Sequence, residues 1–285
     1  MAVRVQRHKL SQSPKMSTWS RLVQSKKFNE YKKLGNAQKA VQRLSDWDSD
    51  ELIYLDISKN NSYSTNRSDT AAPEYESFED LLLGVSKVAR MPITFGGGIK
   101  TLFDIELRLR AGADKVSINR SALIDPMLIT RASREFGRQC IVVSIDYIEN
   151  GDQRSLYVEG LKVYGGHFKS AIDWIQKVEE LGAGEILLNS VSRDGMKCGY
   201  DIEFLGQVSE AISIPVIACG GAGDWNHMAE VLAQTKVDAV AAANIFHFQD
   251  QSIYLARSFL RSRGLPVRPA SIQSKKRLNF DNDLL

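Results

Sequence analysis

The sequence predicts a (β/α)8 barrel, and three observations carry that prediction. Short β-branched apolar runs alternate with amphipathic stretches of about ten to fifteen residues, the pattern of βαβ units on a parallel sheet. Counting an irregular one near the N-terminus, the strand candidates number eight, and eight such units over 285 residues favour a barrel over an open doubly wound sheet. The third observation is an internal repeat. "FGGGIKT" from Phe95 returns as "CGGAGDW" from Cys219, and with Gly96 set on Gly220 the segment 113–119 falls on 237–243. "ELIYLDIS" from Glu51 likewise rhymes with "EILLNSVS" from Glu185. Self-similarity of this kind points to duplicated half-structures.

In chain order, the first strand is the hardest to read. Pro14 and several serine or threonine residues stand where a buried strand belongs, so 1–28 is treated as a divergent first strand. The next candidates are 52–57, 92–95, 115–118, 141–145, 186–188, 216–219 and 239–242. Most are almost wholly apolar, as strands buried on both faces must be. Between them, "SFEDLLLGVSKVAR", "TLFDIELRLRAG", "SAIDWIQKVEELGAG" and "WNHMAEVLAQT" have helical apolar spacing. Two segments interrupt the rhythm. A polar loop covers 58–77, and 147–169 holds Asn150-Gly151 between alternating residues, which predicts a hairpin. Both follow strand C-termini, the face that carries the active site in barrels. The segment 267–285 reads as a surface tail, and 1–285 as one domain.

The glycine runs suggest chemistry. Glycine lets backbone N–H groups approach a ligand with no Cβ in the way, and a helix start beside them favours an anion. Taken singly, each run serves as well for a tight turn that binds nothing. Two copies at equivalent places suit a substrate with a phosphate at each end.

Bulk properties narrow the class. A composition of 43% hydrophobic and 25% charged residues is ordinary for a globular protein, and a net charge of +3 demands neither nucleic acid nor membrane. No apolar run approaches a membrane span, and the N-terminus lacks the apolar centre of a secretory signal. Cys140, Cys198 and Cys219 are scattered and odd in number, so they read as buried free thiols in a reducing compartment. The four histidines show no ligand spacing. A cytoplasmic protein without metal or cofactor is the expectation.

The ordered phrases "DELIYLDI", "FGGGIKT", "GADKVSIN", "VVSIDY", "GAGEILLNSVSRDG", "GYD", "IPVIACGGAG" and "AANIFHF" resemble the cyclase subunit of imidazole glycerol phosphate synthase, from about Leu22 to Arg268. The resemblance implies a barrel of two half-barrels with a phosphate site in each and a bis-phosphorylated aminoimidazole-carboxamide ribonucleotide as substrate. It implies a glutaminase docked on the N-terminal face, forming a 1:1 heterodimer and sending ammonia through the barrel. Residue by residue, one phosphate site matches Gly97, Gly98, Asn119 and Arg120, and the other Gly220, Gly221, Ala243 and Asn244. Asp56, Asn189, Ser190 and Asp194 match polar positions around the substrate, while Ser192 stands where the family usually has aspartate. Glu51, Lys115 and Glu185 match three members of a charged gate for ammonia; the fourth, an arginine, falls gaplessly on Leu10, with Arg7 and Arg4 close by.

The family's cyclisation uses two aspartates as general acid and base. Asp146 matches one; counting back gaplessly from "RLVQSKKF" puts Met16 at the other, and no acidic residue precedes Glu30. The pattern is similar to a divergent branch of the family found with surface-polysaccharide genes. There the barrel and its glutaminase supply ammonia for an acetamidino group on a sugar, and "LVQSKKF", "LNSVSRDG" and "IACGGAG" carry that likeness. An authentic histidine-pathway cyclase, a non-catalytic phosphate-binding scaffold and a generic barrel isomerase are the alternatives.

Overall fold

The structure is a computed structural model, and it describes residues 2–6, 21–28, 30–57, 78–158, 170–243, 245–248 and 253–269. Met16, Leu10, Arg7 and Asn244, the loop 58–77 and the end of the tail lie outside these residues. The chain begins with β1 (Ala2–Gln6), β2 (Arg21–Lys26), β3 (Glu30–Asn36) and α1 (Ala37–Asp46). β4 (Leu52–Asp56), α2 (Phe78–Val88), β5 (Ile93–Gly96), α3 (Leu102–Arg110), β6 (Lys115–Ile118), α4 (Arg120–Ile124) and α5 (Met127–Phe136) follow. The second half holds β7 (Ile141–Asn150), β8 (Gln153–Leu156), α6 (Ala171–Glu180), β9 (Glu185–Ser190), α7 (Ile202–Ala211) and β10 (Val216–Cys219). It ends with α8 (Trp225–Gln234), β11 (Ala239–Ala241), α9 (Ile245–Phe248) and α10 (Ile253–Ser262).

Eight of these strands are parallel, in the order β11-β10-β9-β7-β6-β5-β4-β1, while β2, β3 and β8 are antiparallel additions. Ile53 of β4, Val142 of β7, Leu187 of β9, Ile217 of β10 and Ala241 of β11 pack into one buried cluster. In a flat sheet β4 and β11 would be about 29 Å apart, at ~4.8 Å per strand. Their side chains share a cluster because the sheet curls into a barrel. The alternate positions, among them Leu52, Tyr54, Phe95, Ile145, Ile186 and Val216, face outward into the larger core under the helices. Burial on both faces is why the strands are nearly continuous in apolar residues.

The duplication is visible in backbone bonds. Ile93 N–H donates to the Asp114 carboxylate at 2.7 Å, and Asp114 N–H returns to the Ile93 carbonyl at 2.9 Å. Val216 and Asp238 repeat this clamp at 2.9 and 3.1 Å. Leu52 N–H donates to Pro92 O, and Ile186 N–H to Pro215 O. The glycines need one correction. Gly97 and Gly220 both have φ of 93°, and a Cβ on either would strike the carbonyl of the preceding strand's end, Asp56 or Ser190. Gly97, not Gly96, is therefore the counterpart of Gly220, and the extra residue of α8 relative to α3 restores the later register.

The strand parallel to β4 is Ala2–Gln6, paired from Ala2↔Ile53 to Val5↔Asp56, within the 1–28 expected to hold the first strand. Two other expectations change. The hairpin forms, but Asn150 pairs with Gln153, so its two-residue turn is Gly151 and Asp152, one residue later than the Asn-Gly reading. The cysteines are free but not buried: Cys140 and Cys219 are half-buried and Cys198 is exposed, because it sits in the loop after β9. Within 267–285, Arg268 is fastened. Arg257 of α10 donates to Asp48 Oδ2 at 2.8 Å and reaches Asp50 at 3.1 Å, and Arg268 bonds Asp50 at 2.7 Å. This clasp ties the last helix to the turn before β4.

Candidate functional site

Side chains alternate along a strand, so every second residue faces the barrel interior. On β6 that series is Lys115, Ser117 and then Asn119, just past the strand. On β9 it is Glu185, Leu187 and Asn189, and on the β4 side Glu51, Ile53 and Leu55. Ile53, Leu187 and Val142 lie in the interior cluster, which fixes the parity. Asp146, four residues beyond Val142, faces inward at the C-terminal mouth.

At that mouth Asn119 Nδ2 donates to Asp146 Oδ2 at 2.7 Å, and Asn189 Nδ2 donates to Asp146 Oδ1 at 3.0 Å. One amide comes from each half of the barrel, and together they fix the carboxylate's plane. At the opposite, N-terminal edge, Lys115 Nζ lies 2.5 Å from Glu185 Oε1 and 3.3 Å from Glu51 Oε2. Burial alone would lower the lysine's pKa. The hydrogen bond and charge of Glu185, helped by Glu51, outweigh that and hold it above the ordinary lysine value. Between the two ends the lining is not wholly apolar. Glu185 Oε2, Ser117 Oγ and Asn189 Oδ1 are buried without a hydrogen-bond partner among the described residues. They mark the bottom, middle and top of the interior, and such atoms are costly to leave unsatisfied.

The other sequence-predicted residues are distributed around this axis. Gly97 and Gly98, with φ of 93° and 66°, and Gly220 and Gly221, with 93° and 100°, turn the chain after β5 and β10. Asn119 and Arg120 stand at the start of α4, and Ala243 follows β11. Asp56 falls on the face of Leu52 and Tyr54, toward the helix layer, where its charge reaches Arg108. Ser190 is fully buried and its hydroxyl donates to Glu149 at 3.1 Å, so it is turned away from the Asp146 cluster. Ser192 Oγ accepts the Glu149 N–H at 3.0 Å and anchors the β7–β8 hairpin. Asp194 O accepts from Lys27 N at 3.0 Å, and Phe28 meets Tyr157 edge to face. The tip of the β2–β3 hairpin therefore reaches across to the loops after β9 and β8.

Three polar groups near the mouth escape the sequence reading. Arg193 grips Glu149 with Nε at 2.7 Å and Nη2 at 3.1 Å. Arg154 grips Asp201 at 2.6 and 3.1 Å, and Tyr147 OH donates to the same carboxylate at 3.3 Å. Burial, then the Asp201 charge, keep that phenol above its ordinary pKa. Arg108 lies beneath the first glycine loop. Its spacing after Ile105, on the apolar face of α3, is the signal that could have found it. Among the described residues no cluster of three or more His, Cys, Asp or Glu is placed to hold a metal, and no helix is long and apolar enough to cross a membrane.

Comparison with known proteins agrees with this architecture. The family described as "Histidine biosynthesis protein" matches residues 15–252. A Vibrio vulnificus (strain YJ016) protein named "Putative imidazole glycerol phosphate synthase subunit hisF2" is 42% identical over 266 residues, 93% of this chain and 92% of the relative. "Imidazole glycerol phosphate synthase subunit HisF" of Dehalococcoides mccartyi (strain ATCC BAA-2100 / JCM 16839 / KCTC 5957 / BAV1) is 40% identical over 248 residues, 87% of this chain and 93% of the relative. With its eight parallel strands and a match over most of its length, the chain belongs to the histidine biosynthesis protein family of (β/α)8 barrels.

Proposed function

We propose that this chain is the ammonia-receiving barrel of a glutamine-dependent amidotransferase pair, working with a HisH-like glutaminase docked on its N-terminal face. One observation carries the reading. A lysine bonded to two glutamates closes the bottom of the barrel, and inward positions with unsatisfied polar atoms lead from it to the Asn119–Asp146–Asn189 cluster at the top. Neutral ammonia can both donate and accept, so it is suited to such a lining. Glu51, Lys115 and Glu185 act as the gate. Gly97, Gly98, Asn119 and Arg120 hold one phosphate of the substrate, and Gly220, Gly221, Ala243 and Asn244 the other.

Asp146 is the single carboxylate assigned to acid–base work. The strand parallel to β4 brings Val5 level with Asp56, and Ala2–Gln6 contains no acidic residue. The whole chain has none before Glu30. A positioned acid or base contributes about 10²–10⁴-fold, and cyclisation with free ammonia is expected to be slower by a factor in that range than in a two-aspartate relative. The ammonia then serves another acceptor, and a surface-polysaccharide sugar fits the branch that the sequence resembles.

A second reading, an authentic histidine-pathway cyclase, is favoured by the nearly equal identity to the Dehalococcoides HisF. The test combines co-purification with the cognate glutaminase, a glutaminase assay with and without the barrel, and complementation of a strain lacking the histidine cyclase. Complex formation and stimulation without complementation support the proposal. Complementation revives the second reading, and no complex and no stimulation with both proteins folded leaves a phosphate-binding scaffold.

A further inference from the structure

Arg108 stands three residues after Ile105 on α3 and is only 5% exposed. An arginine keeps its proton inside proteins, so α3 carries a buried cation. Burial draws its pKa down from the ordinary guanidinium value, while the charges of Asp104, Asp56 and Glu79 oppose the drop. Two carbonyls receive its N–H groups: Asp104 O from Nη1 at 2.8 Å and Gly97 O from Nη2 at 2.6 Å. The second contact matters for the loop. A trans peptide sets its C=O and N–H on opposite sides. Holding the Gly97 carbonyl toward α3 therefore turns the Gly98 N–H away from it. A Cβ placed on Gly98 would lie 3.6 Å from Nη2, so the guanidinium is packed directly under this peptide.

The second half of the barrel is built differently. There the carbonyl of Gly221, the counterpart of Gly98, accepts a neutral backbone N–H, from Gly199 at 2.9 Å. The nearby Arg193 spends its fork on Glu149. A hydrogen bond from an ionised donor is stronger than a neutral one and polarises the peptide that accepts it, which strengthens the N–H at the other end. A buried cation is also screened less than one in water, so it favours a dianion nearby.

We infer that Arg108 is a positioning residue for anion binding at the first glycine loop, making that loop the tighter of the chain's two sites for a phosphate monoester. The inference rests on the proposed phosphate sites and adds to them an inequality between the halves. It is tested by titrating inorganic phosphate into the full chain while following the backbone amide NMR signals of Gly98 and Gly221. In the wild type both respond, Gly98 at the lower concentration. Arg108→Met raises the dissociation constant read at Gly98 by roughly 10-fold or more and leaves Gly221 within about 2-fold. Arg108→Lys keeps the charge but loses the fork, and falls between. A purely structural role would weaken both sites together. Equal losses, or unchanged Gly98 binding in a folded Arg108→Met chain, overturn the inference. If Arg108→Met does not fold, unchanged Gly98 binding in Arg108→Lys overturns it. A wild-type chain whose Gly98 signal ignores phosphate instead removes the first phosphate site, and the role of Arg108 with it.

Discussion

The two halves of the barrel share a backbone and differ in their charges. Both open a strand with an aspartate clamp, Asp114 on Ile93 and Asp238 on Val216, and both turn after a strand on a positive-φ glycine. The charges that touch this frame are unlike. The first half holds its loop carbonyl with Arg108 and offers no carboxylate on the strand beside β4. The second half supplies Asp146 and ties its loops with Glu149–Arg193 and Asp201–Arg154 pairs. The second loop also has an N–H, that of Gly223, taken by His227 Nδ1 at 3.1 Å. Backbone geometry is thus what the duplication retains, because it sets the strand registers. The side chains around the mouth are free to diverge.

The largest expected effect tests the shared frame. Gly97→Ala must place a methyl group against the Asp56 carbonyl from a left-handed backbone, and is expected to cost about 3 kcal/mol. Gly220→Ala is strained in the same way, with the Ser190 carbonyl somewhat farther away. Urea unfolding of both variants should rank Gly97→Ala as the worse. Losses within about 0.5 kcal/mol for both would mean that the turns are not fixed as described.

Next in size are the clamps. Asp114→Ala and Asp238→Ala each free a strand N–H from a charged acceptor and should each cost about 2 kcal/mol. The comparison predicts equality, so a clear difference between the two breaks the equivalence of the halves. The smallest effect concerns the bottom ring, where Lys115 is held closer by Glu185 than by Glu51. Glu185→Gln should cost about 1 kcal/mol, and Glu51→Gln less. The lysine's folded pKa is raised, so its contribution is complete below the unfolded value of about 10.4 and fades as pH climbs through the folded value above it. The stability gap between wild type and Lys115→Met should accordingly be flat at neutral pH and shrink only in strong alkali.

The parts of this fold that the sequence makes legible are those buried on two faces. β4 to β7 and β9 to β11 read as apolar runs because the barrel lumen and the helix layer both exclude water. β1 is not legible: "AVRVQ" places charged and polar residues between its apolar ones, and a gapless count passes over it to Met16. Asn119, Asp146 and Asn189 are each visible as candidates. Their convergence is not, since it depends on the pairing of Asp146 with Asn189 across β7 and β9. Arg108 is hidden for a different reason. An arginine in an amphipathic helix reads as a solvated side chain; its spacing after Ile105 hints at burial, but its contact with the Gly97 carbonyl is visible only in the fold. The one-residue slip in matching Gly96 to Gly220 has a similar origin, because the longer α8 is invisible until both helices are bounded.

The arginine clasp on Asp48 spans 209 residues of chain. During synthesis Asp48 leaves the ribosome long before Arg257 exists, and at roughly 5–20 residues per second the wait is about 10–40 s. Through that interval the turn before β4 has no partner from α10. Fastening of that turn is therefore a late event in the birth of each molecule, since it cannot precede the synthesis of α10.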